Sequence, residues 1–204
     1  RRIDAMVKAL KYMKLLTVDE PPKTQSEVVQ KPTPENKSNT ENTSQKANEV
    51  IFDKPNSGAV DILLPASGKG YVTYKNDGND HYGTAQTVKA LQIITAKWNE
   101  KHPELKIQIG DMSRKGGGYL YPHGSHRKGI DADVRPFRKD GKLTALNAVA
   151  DPQNFDREKT REFIKLVKET YPNTVILFND KQLIKEGLTK PWEGHDDHLH
   201  IRFK

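Results

Sequence analysis

The sequence predicts one α+β domain, a central and mainly antiparallel sheet flanked by helices, with a disordered linker in front of it. Three observations carry that expectation. Two segments space their apolar residues as helices do, and five shorter ones have the β-branched or alternating content of strands. These segments do not alternate in the regular way that a doubly wound sheet requires. Finally, a polar, proline-bearing stretch interrupts the chain, which has 204 residues, only 34% of them apolar, and a mean hydropathy of −0.84. That is low for a globular chain, so part of it is expected to lack a core.

Residues 1–18 read as a short amphipathic leader or the remnant of an upstream region. Ile3, Met6, Val7, Leu10 and Met13 fall at helical spacing, but Lys8, Lys11 and Lys14 break the continuous apolar centre of a secretory signal. The first residue is Arg1, not Met, so a processed or truncated product without its original targeting signal is expected. Residues 19–50 read as a flexible linker. Pro21, Pro22, Pro32 and Pro34 stand among polar residues, and from Lys23 to Asn48 the apolar side chains are Val28, Val29 and Ala47 alone. So little apolar surface cannot offset the entropy of ordering. Residues 51–204 form the expected domain, which should fold and act without the leader.

Within that domain, a helix is expected over 84–100, with Val88, Leu91, Ile94 and Trp98 on its inner face. A second starts at Asp156 as N-cap and turns Phe163, Ile164, Val167 and Thr170 to the core. Strands are expected over 70–74, 105–110, 130–135, 174–178 and 197–203. No run approaches the ~20 apolar residues of a membrane-spanning helix.

The net charge is +7 and the pI about 9.4, which favours an acidic partner: nucleic acid, anionic lipid or a wall polymer. The aromatic–basic interleaving of RNA and single-strand binders is missing, so no nucleic-acid partner is expected. The chain has no cysteine, which excludes disulfides, thiolate metal sites and a cysteine nucleophile.

Five of the seven histidines fall in two short clusters, His123-Gly-Ser-His126 leading to Asp131-Ala-Asp133, and His195-Asp-Asp-His198-Leu-His200. As strands, both segments split by face. Ile130, Ala132 and Val134 oppose Asp131, Asp133 and Arg135, while Leu199, Ile201 and Phe203 oppose His198, His200 and Arg202. Each strand therefore has an apolar face for a core and a face of metal-ligand types, and a slip of one residue would bury the charges. Three nitrogen or carboxylate ligands plus water make an open zinc site. His126, Asp133 and His200 supply that number and leave His195 and His198 for proton transfer or charge stabilisation. His198 and His200 share a face, so both could reach one ion, and spacing alone does not choose between them.

The segments SRKGGGYLYPHGSHRKGIDADVRP and GHDDHLHIRF resemble those of the penicillin-insensitive murein endopeptidases, zinc peptidases with a His, six residues, Asp and a later His-x-His. His126 and Asp133 have that separation, and His198-Leu199-His200 is the later pair. Related D-Ala-D-Ala peptidases carry Glu three residues before that pair, whereas this chain resembles the endopeptidase branch in having His195. Tyr82-Gly83-Thr84 and Ile109-Gly110-Asp111 also look familiar, and the resemblance covers residues 55–204.

The resemblance implies one catalytic Zn2+ held by His126, Asp133 and His200, with His195 and His198 as catalytic residues. His123 matches a family histidine and is either an outer partner or an extra ligand. It further implies hydrolysis of D-amino-acid cross-links, D-Ala to diamino acid, in peptidoglycan, and so a location in the cell envelope, periplasmic or secreted. Asp131, Asp196 and Asp197 are candidates to orient ligand histidines, and Arg114 and Arg135 to bind a substrate carboxylate. Gly116-Gly117-Gly118 suggests a loop lining the cleft. The competing readings are a D,D-carboxypeptidase or dipeptidase of the same group, and a non-catalytic basic module that binds the wall.

Overall fold

In a computed structural model, which describes residues 56–74 and 79–204, the first helix begins one residue later than its sequence window. Helix α1 (Ala85–Lys101) starts behind Thr84, whose hydroxyl accepts the Thr87 N–H, and it buries Val88, Leu91, Ile94 and Trp98. Helix α2 (Arg157–Thr170) starts behind Asp156, whose carboxylate accepts the Lys159 N–H, and it buries Phe163, Ile164 and Val167. Thr170 is the exception to the expected inner face. It is half-buried and accepts a hydrogen bond from Lys97 at 3.2 Å. Trp98 joins the two helices, stacking on Phe137 with centroids 4.8 Å apart and meeting the edge of Phe163 at 5.8 Å. The leader and linker expected over residues 1–50 lie outside the described residues.

The strands are β1 (Ile62–Leu63), β2 (Ser67–Gly68), β3 (Tyr71–Thr73), β4 (Tyr82–Gly83), β5 (Ile107–Ile109), β6 (Asp131–Val134), β7 (Thr174–Leu177) and β8 (Leu199–Phe203). Six of them form a sheet in the order β2-β3-β5-β6-β8-β7. Only β3 and β5 run parallel and the other neighbours are antiparallel, so the sheet is mainly antiparallel as expected. The five anticipated strands are all present, slightly shorter than their sequence windows. The short ribbon β1–β4, strand β2 and the five-residue helix α3 (Lys181–Lys185) were not anticipated. Two-residue strands and a single helical turn are too short to set up a hydrophobic period.

The apolar faces of β6 and β8 lie together in the core. Ala132, Val134, Leu199, Ile201 and Phe203 are each at most 1% exposed, and burial of this kind stabilises by roughly 25 cal/mol per Å². No helix among the described residues is long and apolar enough to cross a membrane.

Candidate active site

Register decides what faces what on the other side of these two strands. Asp133 pairs with His200 and Asp131 with Arg202. The four polar residues thus share one face, as alternation requires. That face is also buried, with Asp131 at 0%, Asp133 at 2% and His200 at 3% exposure. Part of the cover comes from the loop that carries His123 and His126, and His126 itself is fully buried. The segment after β5 holds this loop in place. The Ser113 hydroxyl donates to the His126 carbonyl at 2.9 Å and accepts the Gly129 N–H at 3.0 Å. Gly129 turns the chain into β6 at φ +66, where a Cβ would lie 2.9 Å from the Thr84 backbone nitrogen, so no larger residue fits.

The tautomers follow from the outer partners. His126 Nδ1 lies 2.6 Å from the Met112 carbonyl, which can only accept, so Nδ1 carries the proton and Nε2 a lone pair. His200 Nε2 lies 3.0 Å from the Asp131 carboxylate and donates to it, which leaves the Nδ1 lone pair pointing inward. Three acceptor atoms then converge. His126 Nε2 is 3.0 Å from His200 Nδ1 and 3.2 Å from Asp133 Oδ1, and His200 Nδ1 is 3.1 Å from that same oxygen. Such a triangle repels itself unless positive charge sits within it. Donors placed ~2.1 Å from a tetrahedral zinc would be roughly 3.4 Å apart, close to the separations here. The donor set fits a zinc ion once the three atoms spread by a few tenths of an ångström.

The electrostatics agree. Burial opposes ionisation of Asp133, yet the neighbouring His126 and His200 imidazoles, which can carry positive charge, outweigh that and hold the carboxyl well below its usual range. Asp131 is likewise lowered against burial by His200 and Arg202, whose Nε donates at 2.7 Å. Burial also disfavours charge on His200, but the adjoining Asp131 and Asp133 carboxylates favour a second proton on the ring and push its pKa up to about 9. The site attracts a positive charge at this point, which a proton or a metal ion can supply.

His123 lies at the edge of this group. Its donor atoms, with those of His126 and Asp133, fall within 4.8 Å of one another. Its Nε2 is hydrogen-bonded to Asp111 at 2.7 Å and its Nδ1 stands 3.7 Å from Asp133. Asp111 and the Met112 carbonyl are the participants that sequence reasoning did not assign. An aspartate one glycine beyond strand β5 was the available signal, and a backbone carbonyl gives none.

His195 and His198 lie beside His200, their own rings tilted with centroids 4.7 Å apart and His195 edge-on to His200 at 5.5 Å. The Glu193 carbonyl accepts from His195 Nδ1 at 2.9 Å, so Nε2 is the basic atom. Burial pushes the His195 pKa down, with its histidine neighbours acting in the same direction, which favours the neutral base. His198 Nδ1 is 2.7 Å from Asp197, and its Nε2 faces Asp133 at 3.9 Å. Of the candidate orienting carboxylates, Asp131 serves His200 and Asp197 serves His198, while Asp196 accepts from Asn179 at 2.6 Å instead. Arg135 is occupied by Gln108 at 3.1 Å and by the face of Tyr74. Arg114 is exposed on the loop before the glycine run.

A model of the penicillin-insensitive murein endopeptidase family matches residues 56–170, more than half of the chain. The chain belongs to the penicillin-insensitive murein endopeptidase family. This match includes His123, His126 and Asp133 and ends before His195, so the fold is what joins the second histidine cluster to the family's segment. The chain is 26% identical over 166 residues to the penicillin-insensitive murein endopeptidase of Haemophilus influenzae, across 68% of this chain and 57% of that protein. It is 24% identical over 169 residues to the penicillin-insensitive murein endopeptidase of Klebsiella pneumoniae strain 342, across 69% and 60%. The chain thus spans under two thirds of the length of these murein endopeptidases.

Proposed function

We propose that the chain is a zinc-dependent endopeptidase that hydrolyses D-amino-acid cross-links in peptidoglycan, acting in the cell envelope. The observation that carries the reading is the buried triangle of three acceptor atoms from His126, Asp133 and His200, with outer partners that fix both imidazoles lone-pair inward. Membership of the family supports peptidoglycan as the substrate class. Bound in the triangle, zinc would supply an acidified water, with its pKa brought toward ~7, and a Lewis acid for the scissile carbonyl.

The remaining work falls to this chain's own groups. His195 presents the Nε2 lone pair on a neutral imidazole and takes a proton from the attacking water, then returns it to the leaving amine. His198 is held through Nδ1 by Asp197 and turns Nε2 into the site, where a proton on that nitrogen would serve the developing oxyanion. Asp131 and Met112 hold the two imidazoles in register, and Arg202 keeps Asp131 ionised.

Digestion of purified cross-linked peptidoglycan tests the reading. Dimeric muropeptides should become monomers, a chelator should stop the reaction, and added zinc should restore it. Release of terminal D-Ala with dimers intact would point to a carboxypeptidase, and unchanged material that still binds the protein to a wall-binding module.

A further inference from the structure

The arginines divide sharply by their partners. Of the seven among the described residues, Arg138, Arg157, Arg161 and Arg202 each hold a carboxylate, with hydrogen bonds of 2.7–2.9 Å to Asp140, Asp180, Glu186 and Asp131, and Arg135 is occupied by Gln108 and Tyr74. Arg114 and Arg127 are exposed, and neither has a carboxylate partner among the described residues. Each is followed by an exposed lysine, Lys115 and Lys128, and residues 113–128 contain no Asp or Glu.

Backbone hydrogen bonds bring the two segments that carry the basic pairs side by side. Gly117 N–H donates to the Arg114 carbonyl and Gly118 N–H to the Arg127 carbonyl, both at 2.9 Å. Gly117 makes the close approach possible: its φ is +76, and a Cβ there would be 2.5 Å from the Arg127 carbonyl oxygen. Arg114 follows Ser113, which anchors His126, and Arg127 follows His126 itself. The Arg127 guanidinium is steadied over the ring of Tyr119, 5.1 Å from its centroid. The result is a cationic rim, held by backbone hydrogen bonds, in which Arg127 directly follows the proposed ligand His126 in the chain.

We infer that this rim docks carboxylates on the peptide strands that flank the scissile bond, so that the enzyme selects an anionic polymer over an uncharged one of the same covalent structure. The inference rests on the endopeptidase reading above and adds to it the charge requirement of the substrate. Arginine's planar fork is suited to carboxylates, and proximity to His126 keeps the gripped anion within a few residues of the reaction.

The test compares native peptidoglycan with the same material after its carboxylates have been converted to amides, by co-sedimentation and by cleavage kinetics. The double variant Arg114→Gln/Arg127→Gln should raise KM for native material by ~10-fold or more, with kcat within about twofold, as expected for two lost charge-assisted contacts. Lys181→Gln/Lys185→Gln, the same charge change on helix α3, should alter neither. The parent enzyme should treat amidated material as the double variant treats native, and the variant should lose nothing further from amidation. Undiminished preference of the double variant for native material overturns the inference, as does equal binding of the two materials by the parent or a rim filled by a phosphodiester polymer alone. Sedimentation does not require turnover. If no peptidoglycan is cut at all, the endopeptidase reading fails while the binding preference still reports on the rim.

Discussion

Two buried histidines in this domain each face a carboxylate at nearly the same distance, and they do different things. His102, at the end of α1, is 8% exposed, stacks on Trp98 and lies 3.1 Å from Glu162. His200, in β8, is 3% exposed and lies 3.0 Å from Asp131. Around His102 the other neighbours are a ring and Lys101, which also pairs with Glu162, so charges there are matched and the pair pins the two helices together. Around His200 the second nitrogen points at another imidazole lone pair and another carboxylate. A buried histidine–carboxylate pair is therefore not itself a sign of chemistry. Convergence of unprotonated donors on the remaining nitrogen is.

The contrast breaks most visibly at the ligands. His126→Ala and His200→Ala should each lose the metal, from about one equivalent to background by elemental analysis, and activity with it. If both variants keep full occupancy, the ligand set proposed here is wrong. Next in size, His195→Ala and His198→Ala should retain the metal while activity falls by at least the ~10²-fold of a lost general base or oxyanion donor. Release of the metal from His198→Ala as readily as from His200→Ala would make His198 a ligand. Asp131→Asn should weaken metal binding by ~10–100-fold, since it frees the tautomer and orientation of His200. A competition titration with a chelator measures this, and unchanged affinity would leave Asp131 a purely structural residue.

The smallest effects belong to the helix pair. His102→Ala should cost about 1–2 kcal/mol in denaturant unfolding, from lost packing and one hydrogen bond, with metal content unchanged. Burial works against ionised Glu162, but Lys101 and His102 outweigh it and lower its carboxyl to about 2. A carboxyl lowered on folding stabilises at pH values above its ordinary range, and that gain is lost as the pH falls through the folded value. The stability difference between the parent and Glu162→Gln should thus be full above pH ~5 and fade toward pH 2. A difference that is flat over that window would show that the charge of Glu162 contributes nothing.

Much of this was legible in the chain because it depends on local periodicity. The helix near 84–100, the helix behind Asp156, the five longer strands, and the split of Asp131–Val134 and Leu199–Phe203 into apolar and polar faces follow from spacings of two or 3.6 residues and one cap residue. The histidine clusters were equally visible, as was the matching of His126, Asp133 and His200 to a ligand pattern. Alternation, however, is silent on what covers the polar face. It would suit solvent, and the structure shows instead that β6 and β8 lie inside the sheet with a loop packed across them. Folding alone decided that Asp133 stands opposite His200, that Met112 and Asp131 set the two tautomers, and that Asp111 belongs to His123. These are pairings across 12 to 69 residues, and one is made by a backbone carbonyl. Composition and period carry no record of such contacts, because they come into being only when register and loop path bring distant atoms within 3 Å.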